Sequence, residues 1–503
     1  MDQRNISPHF TLLCIVALGV LSALLMLAVP PGGWDIGPWK IHFRQLHTLL
    51  GPVEKPAIEN VEAYLEQLEH SATDSLRVAD VTTQDSLSVI EVKRSLSKTS
   101  IQFVDDDSSP LFAFFSTLKK ADGPVHVLHY GDSQIESDRI TRYLRQKLQE
   151  EFGGNGPGLV SPVPVAQPGN ISLSKSDNWK RYTAYGFQEK KSPHDHYGIM
   201  CSYARYTDAA NANGDTTEAY LEFSPSRFSF GKAKLFNHAK LFLRNVGSEV
   251  GLKVLLNDSL IDQLVLTSDS SMQEFNWHFP STPGTLRFDF RGVDSPEIHA
   301  LCFSDNTGIQ VDNIALRGSN GNIFKRINSI DLKAEISSLN CHLILLQFGG
   351  NALPYIDSKK SAEQYGEYFQ AQIRFLKKIA PNASFIVIGP SDMSTTVDGE
   401  LQTFPFLEAT RDALKKAAWE EKCGFWDLYE VMGGKNSMLS WVTNDPPYAG
   451  PDYTHFTPLG ARKVAELLHK AIDEEYEAWK NGKVVKIPSD TSASKVPIHT
   501  NFK

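Results

Sequence analysis

The chain has few cysteines, no basic block and, beyond its first thirty residues, no long apolar run. Five cysteines in 503 residues, Cys14, Cys201, Cys302, Cys341 and Cys423, are too scattered for a disulfide framework. Cys201 and Cys302 could close a loop in the middle of the chain; the alternative is that all are buried thiols. Lys and Arg number 50 against 59 Asp and Glu, a formal charge of −9, and the cations are dispersed. That balance excludes nucleic acid as a partner, because phosphate binding needs concentrated positive charge. The one long apolar run, residues 10–29, is about the length of a bilayer crossing. It ends in Pro30-Pro31-Gly32-Gly33 without the small-residue pair of a cleavage site. A retained membrane helix, residues 1–33, is therefore expected, with the bulk of the chain outside the cytoplasm in the cell envelope. A cleaved leader and a secreted or periplasmic product is the alternative. Only Arg4 precedes the run, so orientation rests mostly on its N-terminal position. Residues 34–100, rich in Ser, Thr and Asp after one short helical stretch at 57–70, read as a tether.

The rest of the chain has two textures. In 101–160 and 307–482, short apolar runs (125–130, 309–316, 343–348, 385–388, 424–427) alternate with helical patterns (110–120, 136–152, 362–379, 407–422, 457–482). Strands alternating with helices predict a parallel sheet covered on both faces. Residues 161–306 differ. Leu286, Phe288 and Phe290 alternate with Arg287, Asp289 and Arg291, a period of two that buries one face. Further short runs at 239–246, 252–256, 260–266 and 297–303, with a turn at Asn257-Asp258, predict an inserted all-β sandwich. The expected fold is thus α/β, flavodoxin-like, interrupted by a β domain and preceded by a membrane helix. Residues 483–503 are a polar tail.

Chemistry-bearing residues fall at the ends of these strands, where open α/β sheets present ligands. Ser133 follows the first strand in His-Tyr-Gly-Asp-Ser-Gln and is expected at a helix N-terminus, where free N–H groups favour developing negative charge. Asn351 follows another strand in Gly349-Gly350-Asn351, and Gly318 sits in the turn 317–321 after a third. Asp452 and His455 stand three apart just before the last helix. A carboxylate at that spacing can hold one imidazole nitrogen, leaving the other to take a proton from Ser133. The N–H of Ser133, the N–H of Gly318 and the amide of Asn351 are candidate donors to an oxyanion.

These blocks resemble the SGNH (GDSL-type) hydrolases: Gly131-Asp132-Ser133 the first, Gly318 the second, Gly349-Gly350-Asn351 the third, Asp452 to His455 the fifth. The resemblance covers about 101–160 and 307–480. With a β insert between the first two blocks, it extends to extracytoplasmic peptidoglycan and polysaccharide O-acetylesterases. It implies Ser133 as nucleophile, His455 as general base and acid, Asp452 as its orienter, and Ser133, Gly318 and Asn351 as the oxyanion hole, with no cofactor or metal. Two departures are visible. Ala352 stands where many members carry Asp, and Gly321 competes with Gly318 for the second block.

The expected function is a serine esterase that removes O-acetyl groups from an envelope or extracellular glycan. One alternative is an O-acetyltransferase on the same triad, supplied by a membrane acyltransferase partner. Another is a silent glycan-binding envelope protein. Other motifs read as structural. Gly153-Gly154-Asn155-Gly156-Pro157-Gly158 follows a helix where a nucleotide fingerprint needs a strand, so a helix stop and a flexible rim of the active site are expected. His194-Asp195-His196 reads as exposed in preference to a zinc site. Trp179, Tyr182, Tyr185, Phe187 and Tyr197 either stack on sugar or pack the insert. Asp138 and Arg139 are expected to pair with each other.

Overall fold

The computed structural model describes residues 97–120, 123–186, 191–207 and 214–482, with 58, 60–74 and short pieces at 17–18, 20–21, 34–36 and 39–41. Among them no helix is long and apolar enough to cross a membrane. The membrane helix expected over 10–29 lies outside the described residues save for four positions, as does Cys14.

Five parallel strands form the central sheet: β1 (Pro124–Gly131), β2 (Gly308–Ala315), β3 (Cys341–Gln347), β4 (Ser384–Ile388) and β5 (Gly424–Trp426). Their order is β2-β1-β3-β4-β5, so the winding reverses between β1 and β3. Such a reversal opens a crevice at the carboxyl ends of those two strands. The strands alternate faces. Val125, Val127, Leu343, Leu345, Ile386 and Ile388 belong to one core, and Leu128, Tyr130, Ile344, Leu346, Phe385 and Val387 to another.

The first core is covered by α1 (Val61–Asp74), α2 (Phe112–Lys120), α3 (Thr141–Phe152) and, near the C-terminal end of the described residues, α7 (Pro458–Lys480). Val61, Leu65 and Leu68 of α1 are buried in it, so part of the segment expected to be a tether is docked on the central sheet. The second core is covered by α4 (Ser329–Ser338), α5 (Lys359–Ile379) and α6 (Leu407–Glu420). Helix α7 starts as its sequence predicts: the Thr457 side chain accepts from Gly460 N–H, with Pro458 in the first turn.

Between β1 and β2 the chain builds two antiparallel sheets. One has five strands and includes Thr217–Pro225, Val250–Leu256 and Leu286–Gly292. The other has six and includes His238–Val246 and Glu297–Ser304. Their facing residues form a third core containing Leu241, Leu252, Phe288 and Phe303. Gly158–Val160 pairs with residues 301–303, so this domain starts slightly before residue 161. The expected turn at Asn257-Asp258 joins Val250–Leu256 to Ser259–Leu266, with φ of 48° and 64°. Two successive positive φ angles suit the right-handed twist of a hairpin.

The insert is seated on the sheet. Tyr197, Ile199, Cys201, Phe242 and Cys302 join the second core. Cys201 and Cys302 are free and buried, as are Cys341 and Cys423, so no bridge closes the middle loop. The aromatic group at its entry is packing, not an exposed platform. Trp179 meets Tyr206 and Phe290 edge-on, Tyr182 stacks on Tyr203, and Tyr197 is buried; Phe187 lies outside the described residues. His194 and His196 are not free either. They face Glu297 at 3.1 Å and Asp331 at 2.7 Å, part of an ion-pair network that bridges insert and α4. The glycine-rich run after α3 is the seam between the two domains, not a rim. A Cβ on Gly154 would lie 2.4 Å from the Ile309 carbonyl oxygen, and one on Gly156 would lie 2.4 Å from that of Phe303.

Candidate active site

Strand β1 ends at Gly131, and the next two residues turn sharply. The Asp132 carboxylate accepts the Gln134 N–H at 2.9 Å, closing a turn that leaves Ser133 half-buried at its apex. The helix expected from residue 136 does not start there. Glu136–Asp138 is one 3-10 turn, Ser137 and Asp138 have φ of 55° and 63°, and α3 begins at Thr141. Ser133 therefore has no α-helix N-terminus directly behind it. The cause is Arg145, fully buried in α3, which draws Asp138 inward through bonds of 2.6 and 3.0 Å and anchors itself on Val311 O at 2.6 Å. Asp138 pairs with Arg145 and not with Arg139, which instead donates to Ser133 O at 3.2 Å.

The loop before α7 brings the imidazole. His455 Nε2 is 2.7 Å from Ser133 Oγ, and His455 Nδ1 is 2.7 Å from Asp452 Oδ2. Asp452 Oδ1 also accepts the N–H groups of Thr454 and His455 at 3.1 and 3.0 Å, which fixes the carboxylate relative to the ring. Burial pushes the Asp452 carboxyl up, but these N–H groups and the imidazole together hold it below the ordinary carboxylate range. The ring sits between a hydroxyl and a carboxylate at hydrogen-bond distance, as proton transfer to and from Ser133 requires.

After β3, Gly349 (φ 128°) takes a conformation closed to other residues and swings Asn351 under the Ser133 turn. The Asn351 amide donates to Asp132 Oδ2 at 3.1 Å and to Ser319 O at 3.3 Å. Asn351, Ser133 and His455 line one open cavity of about 440 Å³. Gly318 is not among its lining residues, although its neighbour Ser319 accepts from Asn351. Gly318 has φ 78° with open space beside it, whereas Gly321 is pressed against the Phe348 and Phe369 rings and serves packing.

Asp132 is the electrostatic outlier. Burial pushes its carboxyl up to about 6 in spite of the Gln134 and Asn351 bonds. An unfolded Asp titrates near 3.9, so between about pH 4 and 6 the folded state binds the extra proton and stability falls as pH rises. Above 6 the buried charge costs about 3 kcal/mol. Asp132→Asn should therefore raise the unfolding midpoint at pH 7.5 by more than at pH 4.5; an equal change at both would show that ionisation is not the cause.

Sequence reasoning missed the groups that tie these loops together. Gln134 Nε2 donates to Ser391 Oγ at 3.1 Å and to Thr454 O at 2.5 Å, joining the Ser133 turn to the β4 loop and the histidine loop. Ser391 and Met393 line the cavity after Gly389-Pro390. The same logic that singled out Asn351, a polar residue just past a strand end, would have found Ser391. Among the described residues the convergent set of potential metal ligands is His126, Cys302 and Asp312. It is buried at the seam near the opposite end of β1, where His126 and Asp312 already face each other at 2.7 Å.

No protein-family model and no curated protein matches the sequence. Solved structures do. A peptidoglycan O-acetylesterase is similar over 74% of this chain and 97% of its own, with 17% identity and a TM-score of 0.57. A GDSL-like lipase from Parabacteroides merdae matches over 33% of this chain and 74% of its own, at 16% identity and TM-score 0.26. A family two carbohydrate esterase from Cellvibrio japonicus matches over 61% and 99%, at 9% and 0.24. The last two superpose too loosely to bear on the chemistry of this site.

Proposed function

We propose that this chain, which has the SGNH/GDSL-type hydrolase fold, is a serine esterase that removes O-acetyl groups from a glycan outside the cytoplasm. The observation that carries the reading is the continuous hydrogen-bonded line Ser133–His455–Asp452, open to a cavity at the point where the sheet order reverses.

In this reading Ser133 Oγ attacks the acetyl carbonyl carbon while its proton passes to His455 Nε2. The carbonyl oxygen becomes an oxyanion, facing the Ser133 N–H and the Asn351 amide, with Gly318 N–H the third proposed donor. As the bond to the sugar oxygen breaks, His455 returns the proton to that oxygen and the deacetylated sugar leaves. Water then gives a proton to His455 and attacks the acetyl-Ser133 ester, releasing acetate and restoring the hydroxyl. Asp452 stays ionised and steadies the imidazolium. Asn351 has to exchange its bond to Ser319 O for the oxyanion, a tightening often completed only with substrate bound.

Asn351→Ala is accordingly expected to lower kcat by about 10²–10³-fold, as loss of one oxyanion donor does elsewhere. An unchanged kcat would remove Asn351 from that role. The function itself is tested by acetate release from O-acetylated peptidoglycan and from acetylated polysaccharides. Release that is absent in Ser133→Ala supports the esterase. No release from any of them, with Ser133 still labelled by a fluorophosphonate, would favour acetyl transfer to a glycan hydroxyl from a membrane-held donor.

A further inference from the structure

A second cavity, of about 530 Å³, lies between the β domain and the nucleophile turn. Glu136, Asp138 and Asn313 form one wall; Leu159, Val165 and Arg181 of the insert side form the other. The turn is shared: Asp132, Ser133 and Gln134 line the first cavity, Glu136 to Asp138 the second. Three residues span at most about 11 Å of chain. The two cavities are thus within the length of a few sugar units of each other along this turn.

The charges in the cleft are unequal in their partners. Glu136 is held by Arg317 at 2.7 Å and Asp138 by Arg145 at 2.6 Å, so both carboxylates are neutralised from behind. Arg181 is not. Its Nη2 donates to Tyr185 Oη at 3.0 Å and Ser202 Oγ at 3.3 Å, both uncharged. Its Nε is buried without a partner, and among the described residues no carboxylate lies within ion-pair distance of it. Withdrawing a guanidinium from water without a counter-charge is unfavourable, and with Nη2 engaged and Nε buried, Nη1 is the nitrogen left to meet a carboxylate. Arg181 is the one cation among the described residues that line the cleft. Arg139, which is not part of the cleft lining, is partly buried, and burial holds its guanidinium below the ordinary range against the opposing pull of Glu136 and Asp452.

We infer that this cleft is a subsite for a carboxylate-bearing sugar of the substrate glycan, with Arg181 as the group that recognises the carboxylate. The inference deepens the glycan-esterase reading and rests on it for the polymer's path, but its test reads binding alone. A sugar carboxylate can come from a uronic acid ring or from a lactyl ether such as that of muramic acid, and separate probes distinguish them.

The full chain carrying Ser133→Ala, which prevents turnover, is titrated calorimetrically with trigalacturonate, with a muramyl disaccharide whose lactyl carboxylate is free, and with neutral xylotriose. One carboxylated probe is expected to bind at least tenfold more tightly than xylotriose, and the probe that does so assigns the source. Adding Arg181→Gln should weaken that probe tenfold or more and leave xylotriose unchanged. Arg181→Lys should recover only part of the loss, because an ammonium cannot also keep the bonds to Tyr185 and Ser202 that position the guanidinium. Equal binding of neutral and carboxylated probes, binding of none, or insensitivity to Arg181→Gln would each overturn the assignment. If Arg181→Gln does not fold, the preference between probes in the Arg181 protein still decides. A protein that binds the carboxylated probe yet releases no acetate would refute the esterase reading and leave the subsite standing.

Discussion

Ser133→Ala is expected to lower kcat/KM on an acetyl ester by about 10⁶-fold while leaving the fold intact, as removing the nucleophile of a serine triad does in other enzymes. The effect should be this large because Ser133 Oγ is the only hydroxyl among the described residues facing His455 Nε2, at 2.7 Å. Without it the His455–Asp452 pair can activate water, but no acyl-enzyme forms. The turn itself does not need the hydroxyl. It is closed by Asp132 on the Gln134 N–H and braced by Arg139 on Ser133 O, and Ala preserves both backbone groups. Rates with p-nitrophenyl acetate and the thermal midpoint check the two halves. Activity within tenfold of the original would mean that Ser133 is not the nucleophile.

The largest effect on stability is expected at Arg145. Its side chain is fully buried, with Nη1 and Nη2 on Asp138 and Nε on Val311 O. Arg145→Met keeps the volume but leaves the Asp138 carboxylate without its counter-charge. Burial already pushes that carboxyl up, with Arg145 the main group pulling it back down. Breaking a buried pair from one side costs about 3–5 kcal/mol. The double variant Arg145→Met with Asp138→Leu removes the stranded charge and should recover a large part of that loss. Urea midpoints measure both. A single-variant loss below about 1 kcal/mol would show that the pair is not the clamp of the Ser133 turn.

The residues legible in the sequence were those governed by local rules. Strands β1 and β3 are mostly apolar, interrupted by His126, His129 and His342, because both faces of a parallel strand are buried. Helix α7 carries its cap and proline in plain view. Ser133, His455, Asp452 and Asn351 were findable because each follows a strand or precedes a helix; Ser133, His455 and Asn351 line one cavity, and Asp452 holds His455 from behind. The features that were not legible depended on partners far along the chain. The delay of α3 to Thr141 is imposed by the buried Arg145 and not by the local sequence, which reads as helix from 136. Asp269–His278, an edge strand with polar residues on its exposed length, shows no clean alternation and went unseen. The glycine-rich run at 153–158 looked like a flexible loop because glycine serves both flexibility and close approach, and only the position of β2 against it distinguishes them. Gln134, the link between three loops, carries no local signal at all.

The most direct test of covalent catalysis by Ser133 is to trap the intermediate. The chain is mixed with p-nitrophenyl acetate, quenched in acid within the first turnover, and its peptides are mapped by mass. The triad geometry predicts an acetyl ester on Ser133 that accumulates before steady state and disappears as acetate is released. Acetate released at full rate with no acetyl group ever on Ser133, or an acetyl ester on another residue, would contradict it.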